Sequence, residues 1–235
     1  MIVASWNIEK NGQGSAIEKQ ALVSGFIDNM LKPAIVDVLF ICEVHGARED
    51  AYVNFLDKVY NQTDWPSYCV QCLHGGHSNS YVVAIRRKPG LDFGFQGDFL
   101  GLNRGLFSVH AHAFAHYNGY LHFGHFKSGQ TGLTKYQLKT AASMQDATWA
   151  ITGDLNWEIG NHANLDIQGS HPHDVWQGQG THKANSGLVN TLDWVLASNL
   201  VRIEPIPLDP RVYDMDAPDH RPLLFNITSA DQIIF

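Results

Sequence analysis

Apolar positions along this chain follow two rhythms, one of strands and one of helices. Ile2-Val3-Ala4-Ser5-Trp6 is a short apolar run that stops at Asn7 and reads as a strand. Leu22, Phe26 and Met30, beside Val23, Ile27 and Leu31, recur every four residues and mark the buried face of a helix. Ser15-Ala16-Ile17-Glu18 offers a capping box for that helix, in which Ser15 and Glu18 satisfy each other's orphan amides, and Pro33 stops it. Residues 36–42 are nearly all apolar, as in a strand covered on both faces. A second helix is expected over residues 48–60, burying Tyr52, Phe55, Leu56 and Val59.

After Pro66 the texture changes. Strands are expected at 68–73, 81–86, 106–115 and 120–126, each set off by Gly, Asn or Pro turn chemistry. A helix over 133–147 precedes strands at 148–152, 192–197 and 223–227. There is no internal repeat, low-complexity tract or linker, so residues 1–235 read as one domain. Strands with a few flanking helices imply an α+β fold, a four-layer α/β/β/α sandwich of two packed, mainly antiparallel sheets with outer helices.

Composition narrows the function classes. The chain is 44% hydrophobic and 17% charged, which is a globular profile. Sixteen Lys and Arg against 23 Asp and Glu give a formal net charge of −7. That argues against a protein that grips nucleic acid by charge alone, and fits a carboxylate-rich site that holds a cation. Of three cysteines, Cys69 and Cys72 form a lone C-x-x-C with no second pair to complete a zinc site. On a strand their spacing points them to opposite faces. No apolar run reaches the roughly 18 residues that span a membrane. The start, MIVASWN, reads as a strand and not as a signal peptide, so the chain is expected to be cytoplasmic as written, or else a secreted or delivered mature domain.

Polar residues sit where the apolar strands end. Asn7 follows Trp6, Glu43 follows Leu39-Phe40-Ile41-Cys42, and His125 ends Leu121–Gly124. Asp154 and Asn156 follow Trp149-Ala150-Ile151-Thr152-Gly153, Asp193 interrupts an apolar run from Val189 to Leu196, and Asp219-His220 precede the last strand. Polar groups at strand ends of a layered sheet converge on one rim. Each also has an ordinary reading: Glu43 as a solvated turn residue, Asp154 as an Asx-turn, Asp193 in a structural ion pair, His220 as a turn histidine. His110, His112 and His116 have even spacing and would share one strand face, either a half-exposed polar side or a metal site.

Taken in order, Trp6-Asn7, Glu43-Val44, His125-Phe126-Lys127-Ser128, Gly153-Asp154-Leu155-Asn156, Leu192-Asp193-Trp194 and Asp219-His220-Arg221-Pro222 form a set. It resembles the DNase I-like endonuclease/exonuclease/phosphatase superfamily, which carries W-N, x-E-V, x-H-L, G-D-F-N, x-D-Y-I and S-D-H-x-P in that order. The resemblance runs from Ile2 to Ile227, and the length is similar to secreted nucleases and to the catalytic subunit of cytolethal distending toxins. Two departures stand out. Pro218 replaces the usual Ser before Asp-His, and Asn79 stands where nucleases of this kind place a Glu that pairs with the first histidine.

The resemblance implies a metal-dependent phosphodiesterase, most simply an endonuclease acting on DNA. Mg²⁺ is the implied cofactor, with Mn²⁺ or Ca²⁺ as alternatives. Glu43 would be the main metal ligand, with Asn7, Asp154 and Asp219 in the same role. His220, oriented by Asp193, would act with His125, Asp154 and Asn156 as the catalytic set. Arg104, Lys127 and Asn79 would contact substrate. Trp157, just past Asn156, would stack on a base, while Trp194 belongs to the core. The expected state is a monomer, with an inhibitor protein as partner if the chain is a toxin. Two rivals stay open: a phosphodiesterase of the same fold acting on a lipid or inositol phosphate, and a binding module that has lost its chemistry.

Overall fold

The structure, a computed structural model, describes residues 1–12, 17–45, 67–73, 80–96, 104–144 and 148–230. Ser15 and Ala16 of the expected capping box, the expected helix over 48–60 and Asn79 lie outside the described residues.

The chain begins with β1 (Ile2–Gly12), α1 (Ile17–Leu31) and β2 (Val38–His45), a unit whose two strands run parallel. Next come β3 (Tyr68–Leu73), β4 (Ser80–Arg86), β5 (Leu91–Gln96) and β6 (Leu106–Phe114). A second parallel unit follows: β7 (Tyr117–His125), α2 (Thr131–Ser143) and β8 (Trp149–Asp154). After a 3₁₀ segment, Ile159–Leu165, come β9 (Ser170–His173), β10 (His182–Lys183), β11 (Val189–Asn190), β12 (Asp193–Ser198), β13 (Val201–Pro205) and β14 (Leu223–Ser229). The first sheet has the order β13-β14-β1-β2-β4-β3, the second β5-β6-β7-β8-β12-β9, and β10 and β11 form a small hairpin of their own. Every strand pair in the two large sheets is antiparallel except β1–β2 and β7–β8.

The two-residue pleat sorts the core into three layers. Val3, Phe40, Tyr81, Val109, Leu121, Phe123, Val195 and Phe225 meet between the sheets, where Phe40 stacks on Tyr81 and Phe123 at 5.5 and 5.1 Å between centroids. Ala4, Trp6, Leu39 and Ile41 face the other way and take the Val23, Phe26, Ile27 and Met30 face of α1. Ile151, Trp194 and Leu196 similarly pack under Leu138 and Ala141 of α2. Each of the buried Val, Leu, Ile, Met and Phe side chains contributes roughly 1.5–3 kcal/mol. The four layers are therefore helix, sheet, sheet and helix, as the sequence implies.

Departures from expectation have local causes. β5, with Asp92, Phe93 and Gly94 exposed, is an edge strand with little burial to read. β9 carries Pro172, which an edge strand tolerates. Asp193 does not interrupt a strand: β11 ends at Asn190, and Asp193 is the first residue of β12. His110 lies on the outer face of β6 near His112, but His116 sits in the turn between β6 and β7 at a φ of 67°. Cys69 and Cys42 are free thiols. Among the described residues, no helix is long and apolar enough to cross a membrane.

Candidate active site

In a sheet with parallel neighbours, the carboxyl ends of those strands open onto a common crevice. Here Asn7, Glu43, His125 and Asp154 come from the far halves of β1, β2, β7 and β8. Because the two sheets pack face to face, Glu43, His125 and Asp154 meet in one open cleft of about 460 Å³, which Asp219 and His220 also line, and Asn7 lies buried beside them.

Two backbone irregularities aim the carboxylates. Simple alternation would send Glu43 toward α1, because Phe40 and Cys42 already face the inner core. Instead the β2–β4 register breaks between Ile41 and Val44, Glu43 adopts a φ of 57°, and Val44 takes the α1 side. This bulge turns Glu43 into the cleft. On β8, Gly153 has a φ of 120°, and a Cβ there would lie 2.2 Å from the Gly124 carbonyl oxygen. Only glycine lets β7 and β8 come this close just before Asp154.

Asn7 bridges the two carboxylates. Its Nδ2 donates to Asp154 Oδ2 at 2.9 Å and to Glu43 Oε1 at 3.4 Å, while its Oδ1 accepts the Glu9 N–H at 3.0 Å. Expected among the metal ligands, Asn7 here has its oxygen engaged by the main chain and acts on the carboxylates through its amide nitrogen. The Asn156 N–H donates to Asp154 Oδ1 at 2.9 Å, and Asn156 Nδ2 donates to the Phe126 carbonyl at 3.0 Å. Burial pushes the Asp154 carboxyl up to about 6, with Asp193 adding to the rise and His220, Asn156 and Asn7 opposing it. His125 Nε2 lies 3.3 Å from Glu43 Oε1 and 3.5 Å from Asp154 Oδ2.

His220 stands across the cleft. Its Nδ1 is 2.7 Å from Asp193 Oδ2, and its Nε2 is 4.0 Å from Asp154 Oδ2 and 3.7 Å from Asp219 Oδ1. Burial alone would push the imidazole down, but the charge and hydrogen bond of Asp193, with Asp154 and Asp219, outweigh it and raise the ring to about 10. Burial likewise pushes the Asp193 carboxyl up, against the pull of the His220 ring. The main chain around it is clamped: Trp6 Nε1 donates to the His220 carbonyl and Trp176 Nε1 to the Pro222 carbonyl, both at 2.8 Å. Arg221 ties the same segment to the carbonyls of Tyr213, Gln179 and Gly180.

The substrate contacts expected from sequence fare less evenly. Arg104 lines the cleft but is buried, and its Nη1 donates to the carbonyls of His125 and Phe126 at 2.7 Å each. It fastens the end of β7 as well as facing the cleft, so it is not a solvated turn arginine. Lys127 is half-buried and is not among the residues lining the cleft. Trp157, expected to stack on a base, is instead buried in the cluster that packs against α2, with Nε1 donating to the Asn161 carbonyl at 3.0 Å, so its ring offers no stacking face. Trp194 is core, as expected, and Trp176 is too.

Four lining residues were given no role from sequence: Glu9, Ser128, His182 and Asn185. Glu9 shares strand parity with Asn7, which was a usable signal; its Oε2 accepts the Asp219 N–H at 3.1 Å and pairs with Lys19 at 2.8 Å. His182 and Asn185 belong to the β10–β11 hairpin, whose two-residue strands are too short to show periodicity.

The donor set suits a hard divalent cation. Glu43 and Asp154 offer carboxylate oxygens at the base of the cleft, and Asp219 Oδ1 is a buried oxygen without a hydrogen-bond partner among the described residues.

No protein-family model matches the chain, and none of the curated proteins does. Solved structures do. The chain is similar to D. rerio TDP2 complexed with a single-strand DNA product, at 20% identity and a TM-score of 0.63, covering 96% of this chain and 98% of that one. It is similar to the human Nocturnin catalytic domain with a bound sulfate anion, at 14% identity and a TM-score of 0.62, covering 97% and 93%. An endonuclease/exonuclease/phosphatase family protein from Bacteroides thetaiotaomicron matches at 12% identity and a TM-score of 0.64, covering 99% and 98%. With two six-stranded sheets, each built around one parallel pair, the chain has the fold of the DNase I-like endonuclease/exonuclease/phosphatase superfamily.

Proposed function

We propose that this chain is a divalent-metal-dependent phosphodiesterase whose substrate is nucleic acid, DNA in the first instance. One observation carries the reading. A pair of carboxylates, Glu43 and Asp154, is held together by Asn7, and the His220 imidazole, oriented by Asp193, faces them across an open cleft. That pairing of a cation-binding base with a fixed positive donor is what a phosphodiester needs as negative charge builds on its oxygens.

Glu43 and Asp154, with Asp219, would hold the cation, and Mg²⁺ suits an all-oxygen set. When bound, such an ion supplies Lewis-acid stabilisation of the phosphoryl oxygens. His220, protonated and oriented by Asp193, donates from Nε2 to a phosphate oxygen. Asp154 and Asn156, tied to each other by the Asn156 N–H, orient the attacking water. His125 spaces Glu43 from Asp154, and Arg104 adds positive charge on the cleft wall. The similarity to a TDP2 structure holding single-strand DNA supports a nucleic-acid substrate.

A lipid or inositol phosphate is the second reading, and one observation favours it. Leu188 and Val189 are 61% and 46% exposed on the hairpin that also carries Asn185 of the cleft wall, an apolar edge the sequence reading did not anticipate.

The deciding experiment incubates the protein with supercoiled plasmid in Mg²⁺ and in EDTA, with a His220→Ala control. Nicking that requires both the metal and His220 supports the nuclease. Folded, Mg²⁺-loaded protein that leaves plasmid intact and cleaves phospholipid head groups from vesicles moves the assignment to the second reading.

A further inference from the structure

The outer face of the second sheet carries a histidine cluster that the cleft does not use. Asp92 of β5 and Tyr120 of β7 both stand opposite His110 of β6 in the ladders, and His112 follows on the same face. His110 stacks on Tyr120, with centroids 4.0 Å apart and planes 7° apart. The His112 ring lies 3.8 Å from the His110 ring, at 55° to it, and its Nε2 is 2.9 Å from Asp92 Oδ2. Tyr120 precedes the cleft residue His125 by roughly 16 Å of strand. The cluster therefore shares no residue with the carboxylate base or with the His220 segment.

A bulge brings the two imidazoles together. Alternate residues of a regular strand stand roughly 6.6 Å apart, well beyond the 3.8 Å between these rings. The β6–β7 register shifts between Ala111 and Phe114, so that His112 and Ala113 together oppose Asn118. Ala113 takes a φ of 54° and donates its N–H to Asn118 Oδ1 at 3.2 Å, while the His112 N–H donates to the Gly90 carbonyl at 2.8 Å. Bulges re-aim side chains, as the one in β2 does for Glu43. On a merely solvated face two imidazoles would spread into water, and these converge. Two nitrogen donors select copper, nickel and zinc over magnesium. Asp92 gives His112 the support that metal-binding histidines carry, since a carboxylate on one ring nitrogen fixes the ring for binding through the other. The His112 side chain is 49% exposed, so an ion reaches it from solvent and water completes its shell.

We propose that His110 and His112 form a surface site for a borderline divalent transition metal, Cu²⁺ above all, in which the two rings are the protein ligands and Asp92 orients His112. With Nε2–H donated to Asp92, His112 binds through the lone pair of Nδ1. Cu²⁺ is the tightest of the divalent first-row ions on such nitrogen donors, and it accepts two imidazoles with water in a tetragonal shell. The site depends neither on the cleft nor on the function proposed above.

The test is titration of the full chain with CuSO₄ in a large excess of Mg²⁺, read by calorimetry and by electron paramagnetic resonance. The set is the wild type, His110→Asn, His112→Asn and Asp92→Asn, with His171→Asn and His182→Asn as controls at the chain's other histidine clusters. The first equivalent of Cu²⁺ should show coupling to two imidazole nitrogens. Asp92→Asn should weaken it about 10-fold, and His110→Asn and His112→Asn by more. Both controls should keep it. Circular dichroism establishes that each variant is folded. His110 is packed on Tyr120, so where its variant does not fold, the half-exposed His112→Asn decides alone. A first equivalent that survives His112→Asn unweakened, that is lost in either control, or that couples to a single nitrogen overturns the site.

Discussion

Asp193 engages Nδ1 of His220 at 2.7 Å while standing directly opposite Asp154 in the β8–β12 ladder. Like charges facing each other across strands repel, and the imidazolium set between them offsets that repulsion. The ring is raised to about 10, so in metal-free protein it should stay protonated through pH 8. A group raised in this way lends stability that is fully present below its unfolded value near 6.5 and is lost as pH climbs through about 10. Ring ¹⁵N shifts of His220 should show no titration between pH 6 and 8, and Asp193→Asn should bring that titration down. A neutral ring at pH 7 in the wild type would contradict the donor role. In activity, His220→Ala should lower turnover by roughly 10²–10⁴-fold with the fold intact.

Glu43 is turned into the cleft by a bulge and held there by Asn7. Glu43→Gln should therefore weaken Mg²⁺ binding and shift the metal dependence of activity to higher concentration, while EDTA silences the wild type. Asn7→Ala should do less to metal affinity than Glu43→Gln, because Asn7 Nδ2 holds the two carboxylates while its oxygen already accepts the Glu9 N–H. Equal losses in the two Mg²⁺ titrations would make Asn7 a ligand after all.

Arg104 has two tasks, and their separation is measurable. Its Nη1 holds the carbonyls of His125 and Phe126, and hydrogen bonds to a charged group contribute about 1.5–3 kcal/mol each. Arg104→Ala should therefore lower the urea midpoint as well as kcat/KM, and Arg104→Lys should restore little, because a point charge cannot replace the guanidinium fork. An unchanged urea midpoint would mean that the two carbonyl contacts do not matter.

Far from the cleft, His122 predicts an acid sensitivity. It is fully buried on the outer face of β7, its Nδ1 2.7 Å from Ser108 Oγ, and burial pushes the ring down to about 4. Between that value and the unfolded 6.5, the unfolded chain binds the proton and the folded one does not. Stability therefore falls as pH drops through this window, by about 3 kcal/mol at its lower end. Urea unfolding at pH 7 and pH 4.5 should show a smaller pH effect in His122→Gln than in the wild type. The same slope in both would assign the acid sensitivity elsewhere.

How much of this was legible in the sequence depends on the element. Strands buried on both faces, such as β8 and β12, end in Asp154 and begin with Asp193, so their apolar runs point to the site. What periodicity cannot show is the aim of Glu43, because a single left-handed residue reverses the face that alternation assigns. It cannot show His182 either, since a two-residue strand has no period. β13 carries a legible pattern, since Val201-Arg202-Ile203-Glu204 alternates as an edge strand does. Trp157 was misread because its place beside Asn156 suggested the rim, whereas its side chain turns under α2. Neighbourhood in sequence gave no information about which way the ring faces.

Gly153 is where fold and chemistry meet most tightly, and it can be tested against its own partner across the ladder. Gly153 and Gly124 are register partners of β8 and β7. An added Cβ at Gly153 meets the rigid Gly124 carbonyl at 2.2 Å in a φ of 120° that side chains rarely adopt. At Gly124 the nearest atom is Cε2 of the Phe126 ring at 2.7 Å, which can rotate away. Gly153→Ala should thus cost about 3 kcal/mol or more, with Gly124→Ala costing clearly less. Because β8 can relieve the clash only by backing away from β7, Gly153→Ala should also pull Asp154 from Asn7 and lower turnover per folded molecule. Urea midpoints and nicking rates of both variants decide the matter. Should the two cost the same, the close approach of β7 and β8 would not be what sets Asp154 in place.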